Sequence, residues 1–264
     1  ARYHGLAHHG AIAPGYLADI VAVPDLGEVR PVRVWKRGRL AAEDGVGVDV
    51  PPAHAPEWMR ASVRAGPLGP HDFSVPGDGP VRAIGVEAGQ IVTRALVARP
   101  PVREGRAEAD PDGDLAKAAV VERHRGTGRV GLGFVTGFGL RRGALASTHA
   151  HDAHNIVVVG ASDADMASAA RRLVDIGGGQ VAVADGEVLA EVACPIGGLL
   201  SDRPAEEVAA STRALDRAAR SLGVSLPSPF MAMSFLALSV IPELKLTDRG
   251  LVDTVNFRLV PLHA

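Results

Sequence analysis

Residues 147–155, Ser-Thr-His-Ala-His-Asp-Ala-His-Asn, form the densest group of side chains able to do chemistry in this chain of 264 residues. His149, His151, Asp152, His154 and Asn155 fall close together, set between two apolar runs. Side chains alternate along a strand, so an extended backbone would put His149 and His151 on one face, and a turn at Asp152 would bring His154 back toward them. Imidazole and carboxylate groups suit a divalent transition metal. The same residues also suit a hydrogen-bonded turn in which Asp152 and Asn155 cap backbone amides and the histidines face an interface. Two or three histidines without a distant partner do not choose between these readings.

Other polar groups carry less. Gly126, Gly128 and Gly131 have the literal spacing of a dinucleotide-binding loop, which needs a strand before it and a helix after it. The expected order here is the reverse, so the glycines are assigned to a helix stop and to a strand that another backbone approaches closely. Glu122 and His124 are expected at the surface or an interface at the end of a helix, and Lys245, Asp248 and Arg249 in a solvated turn or docking contact. Cys194, ahead of Pro195, reads as a small core residue. His8 and His9 precede a turn and suggest little.

Composition excludes several functions. Lys+Arg 28 against Asp+Glu 30 leaves a net charge of -2, so no positive field is available to hold nucleic acid or an acidic membrane. Aromatic residues make up only 4%, too few for base-stacking platforms. The most apolar stretch, 230–241, stops at Pro242 and is too short to span a bilayer. One cysteine precludes an internal disulfide or a zinc-thiolate cluster and fits a reducing, cytoplasmic setting. The chain opens on Ala1-Arg2-Tyr3 with no signal-peptide pattern, as the middle of a longer protein would.

The elements that must position these groups fall into three regions. Residues 1–50 read as short strands, among them 19–23 and 32–40, between turn signals. Residues 51–80 are so rich in proline and glycine that they read as a linker or wrap, with Trp58 and Phe73 as its anchors. Residues 81–264 mix the two element types. Runs 81–86 and 91–98 read as strands, and 114–125 as a helix begun by Asp114 and closed by Gly126. Three apolar strand-like runs follow, then a helix capped by Ser162 with Asp165 and ended by Gly177-Gly178-Gly179. A hairpin turns at Asp185-Gly186, and an amphipathic helix runs from about Arg203 to Leu222. Strands joined directly to strands disfavour a doubly wound parallel sheet and predict an α+β layered domain.

Two sets of segments carry a resemblance. GAIAPGYLADIVAV (10–23) and VWKRGRLAAEDG (34–45) resemble the part of amidohydrolase-superfamily proteins that leaves the metal-bearing barrel and completes a small β-sandwich. VERHRGTGRVGLGFVTGFGLRRGALAS (121–147), AHDAHNIVVVG (150–160) and PFMAMSFLALSVIPELKLTDRGLVD (229–253) closely resemble the C-terminal domain of bacterial adenine deaminases. The resemblance covers nearly the whole chain. It implies a β-sandwich remnant over 1–50 and the family's C-terminal α+β domain over 81–264. It also implies that the family's TIM-type barrel, with its catalytic residues and a binuclear manganese or iron site, is absent from this chain and lies upstream of Ala1.

The reaction so implied is hydrolysis of adenine to hypoxanthine and ammonia in cytoplasmic purine salvage, and the alternative is a structural or oligomerisation domain with no activity of its own. Implied partners are adenine, the barrel of the same parent protein and further copies in a homo-oligomer. His151, Asp152, His154 and Asn155 match the family pattern, and His149 does not. Those four are the candidate substrate-edge, interface or metal residues.

Overall fold

The computed structural model describes residues 1–48 and 55–264, so the start of the expected linker, 49–54, lies outside the described residues. The chain divides into two compact units, Ala1–His54 and Ala55–Ala264. In the first, β1 (Ile20–Ala22), β2 (Arg33–Lys36), β3 (Arg39–Glu43) and β4 (Val46–Gly47) form an antiparallel sheet in chain order. The stretch 32–40 is therefore a hairpin rather than one strand, turning at Arg37-Gly38, both at positive φ. None of the described residues of this unit is buried.

The second unit opens with the short helix α1 (Glu57–Arg60) and a 3-10 turn, Pro70–Phe73. Phe73 is fully buried, as an anchor should be, whereas Trp58 is 72% exposed and anchors nothing within the described residues. Strand β5 (Val75–Pro76) pairs with β9 (Arg106–Ala107), which also pairs with β8 (Val102–Arg103).

The centre of the unit is an eight-stranded sheet. Its members are β6 (Val81–Val86), β7 (Thr93–Ala98), β10 (Leu115–Val121), β11 (Val130–Thr136), β12 (Ala144–Ser147), β13 (Ile156–Gly160), β14 (Gly179–Ala184) and β15 (Glu187–Ala193). They lie in the order β15-β14-β12-β13-β10-β11-β6-β7. All neighbours are antiparallel except β6 and β11, so the doubly wound alternative is excluded and the α+β reading stands.

Each face of this sheet has its own core. Helix α2 (Asp163–Asp175) packs on one face, with Met166, Ala170 and Leu173 against Ala119, Val121, Ala146 and Val158. Helices α3 (Ala205–Ser221) and α4 (Pro229–Leu236) cover the other, with Leu215, Leu222 and Met233 near Ala118, Val120, Val157 and Val159. A last antiparallel sheet, β16 (Leu244–Thr247), β17 (Gly250–Asp253) and β18 (Arg258–Val260), adds Leu244, Leu246 and Leu251 to that second core. Ser162 caps α2 by accepting from the Asp165 N–H, and the hairpin at Asp185-Gly186 joins β14 to β15.

The helix expected over 114–125 is strand β10 instead. Every position of β10 is buried, because Ala116, Ala118 and Val120 face one core and Ala119 and Val121 the other, and an apolar run broken by the single buried Lys117 carries no clear period to separate helix from strand. Asp114 does not cap a helix. Its carboxylate accepts from the Gly137 N–H at 2.8 Å and the Gly139 N–H at 2.6 Å, tying the start of β10 to the end of β11.

The expected close approach at Gly131 is present. An added Cβ there would stand 1.9 Å from the Thr247 carbonyl oxygen of the β16–β17 turn. Gly126 ends no helix; it lies in the turn between β10 and β11 at φ 63.

Candidate functional site

Strands β10 and β13 are neighbours, with Val121 opposite Ile156, so the segments 122–129 and 148–155 emerge at the same end of the sheet. Arg123 joins them. It is almost completely buried, and its Nε donates to the His154 carbonyl while Nη2 donates to the Gly197 carbonyl at 3.1 Å. Its backbone N–H donates to Asn155 Oδ1 at 3.3 Å. The guanidinium therefore rests on main-chain oxygens, with no carboxylate among its partners in the described residues. Gly198 is required beneath it, since a Cβ there would fall 2.5 Å from Nη1.

The histidine-rich loop is held along its length. The Thr148 hydroxyl donates to the Gly198 carbonyl at 2.5 Å and accepts from the Gly179 N–H at 2.8 Å. His149 Nε2 lies 2.9 Å from the Leu199 carbonyl, which puts its proton on that nitrogen and leaves Nδ1 buried without a partner. The His151 N–H donates to the Ser234 carbonyl at 3.0 Å, and its ring stands 5.1 Å from the Phe235 ring and 5.9 Å from that of His154. His124 Nε2 reaches the Ala153 carbonyl at 2.6 Å. Asn155 Nδ2 is 3.5 Å from Asp248, which is itself paired with Arg129 at 2.7 Å. Asp152 is exposed.

The expected constellation is thus only partly assembled. His151 and His154 are brought edge to face, Asn155 turns inward as a strut, and Asp152 faces solvent. Burial lowers the His154 pKa, His151, Arg123 and His149 lower it further, and Asp152 opposes them, so the neutral imidazole is favoured. Among the described residues no group of three or more His, Cys, Asp or Glu side chains is placed to hold a metal ion. The donor set here does not fit a binuclear centre.

Two charged groups expected at the surface are inside. Glu122 is buried and accepts from the N–H groups of His124, Arg125 and Thr127 and from the Thr127 hydroxyl. Lys245 is fully buried on β16, donating to the Ile91 carbonyl at 3.0 Å. Cys194 is buried as expected, and burial pushes its thiol up to about 11.

Sequence reasoning missed Arg123, Thr148 and the Gly197-Gly198 carbonyls. The available signal was a glycine pair far along the chain, whose partner can be found only once the strands are paired. Beside this loop lies a cavity of about 600 Å³ lined by Trp58, Met59, Ser62, His124, Ile196 and Leu199.

Comparison with known proteins now adds to the geometry. The family described as adenine deaminase C-terminal domain matches residues 90–258. The adenine deaminase of Oleidesulfovibrio alaskensis is 48% identical over 264 residues, which is 99% of this chain and 45% of that protein. That of Moorella thermoacetica is 49% identical over 96% of this chain and 44% of its own length, and that of Methanothrix thermoacetophila 47% identical over 99% and 46%. The chain spans less than half the length of the curated relatives it matches. With the family's C-terminal domain over most of its second unit and near-complete coverage by these relatives, the chain belongs to the adenine deaminase family.

Proposed function

We propose that this chain is the C-terminal portion of an adenine deaminase, a cytoplasmic purine-salvage hydrolase that converts adenine to hypoxanthine and ammonia. The single observation that carries the reading is the coverage: adenine deaminases match 99% of the chain while the chain accounts for 45% of their length. The manganese or iron of the parent enzyme is then held by its barrel, where it would activate the attacking water.

What this chain's own residues do is structural and local. Arg123 and Asn155 fix the loop 148–155 on the sheet end, so that the His151 ring and the Asp152 carboxylate form a pre-set edge toward the barrel of the same parent protein. The first unit favours the companion reading of a supporting domain. Val21 on β1 and Ile12, Leu26 and Val29 in the loops beside the sheet are exposed, as apolar groups are when the layer that covers them is supplied elsewhere.

The test is an adenine-deamination assay on the 264-residue chain with added manganese, beside the full-length enzyme. No turnover by the chain is expected, with loss of activity or stability in full-length His151→Ala and His154→Ala. Turnover by the chain comparable to the full-length enzyme would overturn the assignment of the catalytic apparatus to the barrel, and wild-type kinetics and melting in both variants would reduce the loop to a decorated turn.

A further inference from the structure

The cavity of about 600 Å³ beside the histidine-rich loop is built wholly from the second unit, and the deaminase reading gives it no task. Its size is that of a small-molecule site, for which roughly 300–1,000 Å³ is usual. Met59, Ile196 and Leu199 give it apolar walls, and Trp58 and Leu200 line it while remaining exposed. An indole left in water along an apolar hollow is a face free for stacking.

The permanent charge on its walls is Arg64. The Arg64 main-chain N–H donates to the Arg123 carbonyl at 2.7 Å and its Nε to the Ala61 carbonyl at 3.3 Å. Those bonds hold the residue in place, while its two terminal guanidinium nitrogens have no partner among the described residues. No acidic side chain among the described residues lines the cavity. The acidic residues nearest in sequence to its walls are engaged or stand outside it. Asp202 pairs with Arg60 at 2.8 Å, Glu122 accepts from the N–H groups of His124, Arg125 and Thr127, and Glu57 is exposed outside the lining.

The same walls hold the loop 148–155. The Leu199 carbonyl accepts from His149 Nε2 at 2.9 Å, and the Gly197 carbonyl accepts from Arg123, which also holds the His154 carbonyl. His124 lines the cavity and donates from Nε2 to the Ala153 carbonyl at 2.6 Å. Whatever fills the cavity therefore rests against the groups that fix the loop.

We propose that this cavity binds a small aromatic carboxylate, with its ring against Trp58 and its carboxylate on the Arg64 guanidinium, and that occupancy stiffens the loop 148–155. The planar fork of a guanidinium matches a carboxylate in geometry. One guanidinium also balances one negative charge, whereas a phosphate monoester brings nearly two and would be left under-neutralised. The apolar walls take the ring, and the absence of lining carboxylates lets the anion approach.

The experiment is isothermal titration of the 264-residue chain with 2-naphthoate and with its neutral counterpart 2-naphthamide, accompanied by hydrogen exchange. Naphthoate should bind saturably, one per chain, and at least about tenfold more tightly than naphthamide. Arg64→Gln should bring naphthoate down to the naphthamide level and leave naphthamide unchanged, whereas Trp58→Ala should weaken both. Both residues are exposed, so the two variants should keep the wild-type melting transition. Exchange of the 148–155 amides should slow when naphthoate is bound. The absence of saturable binding, equal affinity for the two probes, or wild-type affinity in either variant would overturn the site, and unchanged exchange in the bound chain would overturn its coupling to the loop. The full-length protein should bind naphthoate equally, and failure to do so would show the cavity filled by the rest of that protein. The deamination assay reads turnover and this titration reads binding, so each can fail without the other.

Discussion

Glu122 and Lys245 are both withdrawn from water, and the fold treats them oppositely. Burial alone would raise the Glu122 pKa, but the N–H groups of Thr127, Arg125 and His124 and the Thr127 hydroxyl outweigh it and hold the carboxylate at about 2. Its folded pKa lies below the unfolded one, so its stabilisation is complete above pH 4.5 and is lost as pH falls toward 2. Glu122→Gln should cost about 2–3 kcal/mol at neutral pH and flatten the acid limb of the stability profile. Urea titrations at neutral and acidic pH would test this, and midpoints equal to wild type at both would remove the carboxylate from the account. Lys245 has one carbonyl partner, and burial pulls it down to about 8. The folded state then binds fewer protons than the unfolded chain between about pH 8 and the ordinary lysine value, so this residue makes stability rise with pH through that window. Neither burial was legible in the sequence. Glu122 and Lys245 stand beside other charges, a local context that reads as solvated surface. What internalises Glu122 is a turn of main-chain donors, and what internalises Lys245 is a carbonyl on a segment distant in the chain.

At the level of elements, the sequence was most informative where a terminus carried its own signal. Helix α2 has Ser162 before it and three glycines after it, and its apolar residues recur at helical spacing. Strand β10 had the opposite property, since a strand buried on both faces loses the alternation that identifies a strand. The loop 148–155 was found as a cluster, but its shape is set by Arg123, Gly198 and Ser234, which approach it from three other segments. Gly131 shows how narrow such approaches are. Gly131→Ala would drive a methyl group into the Thr247 carbonyl, and backbone on both sides leaves no side chain to swing aside. The expected cost is about 3 kcal/mol or failure to fold, read as thermal denaturation against wild type, and an unchanged melting temperature would show that the β16–β17 hairpin shifts freely on β11.

For the molecule as a whole, the two units differ in how they are held together. Among the described residues, every buried apolar one belongs to the second unit, beginning at Leu68, where three core clusters surround the large sheet. A chain starting at Ala55 should therefore keep a cooperative melting transition close to that of residues 1–264. Calorimetry on both would decide it, and loss of the transition would mean that the first unit is needed for the core. The order of strands and turns gave the α+β class, and composition the absence of a strong charge field, but neither could show that the described residues of the first unit form strands without a buried core, because burial depends on contacts that local patterns do not encode. The exposed Tyr3, Ile12, Leu26 and Val29 have a consequence for how the chain behaves in a cell. Folded loops that stay greasy give chaperones something to grip even after folding is complete, so production of residues 1–264 by themselves would load the quality-control machinery, and solubility in the host would be decided by residues 1–48 rather than by the stable sheet that follows them.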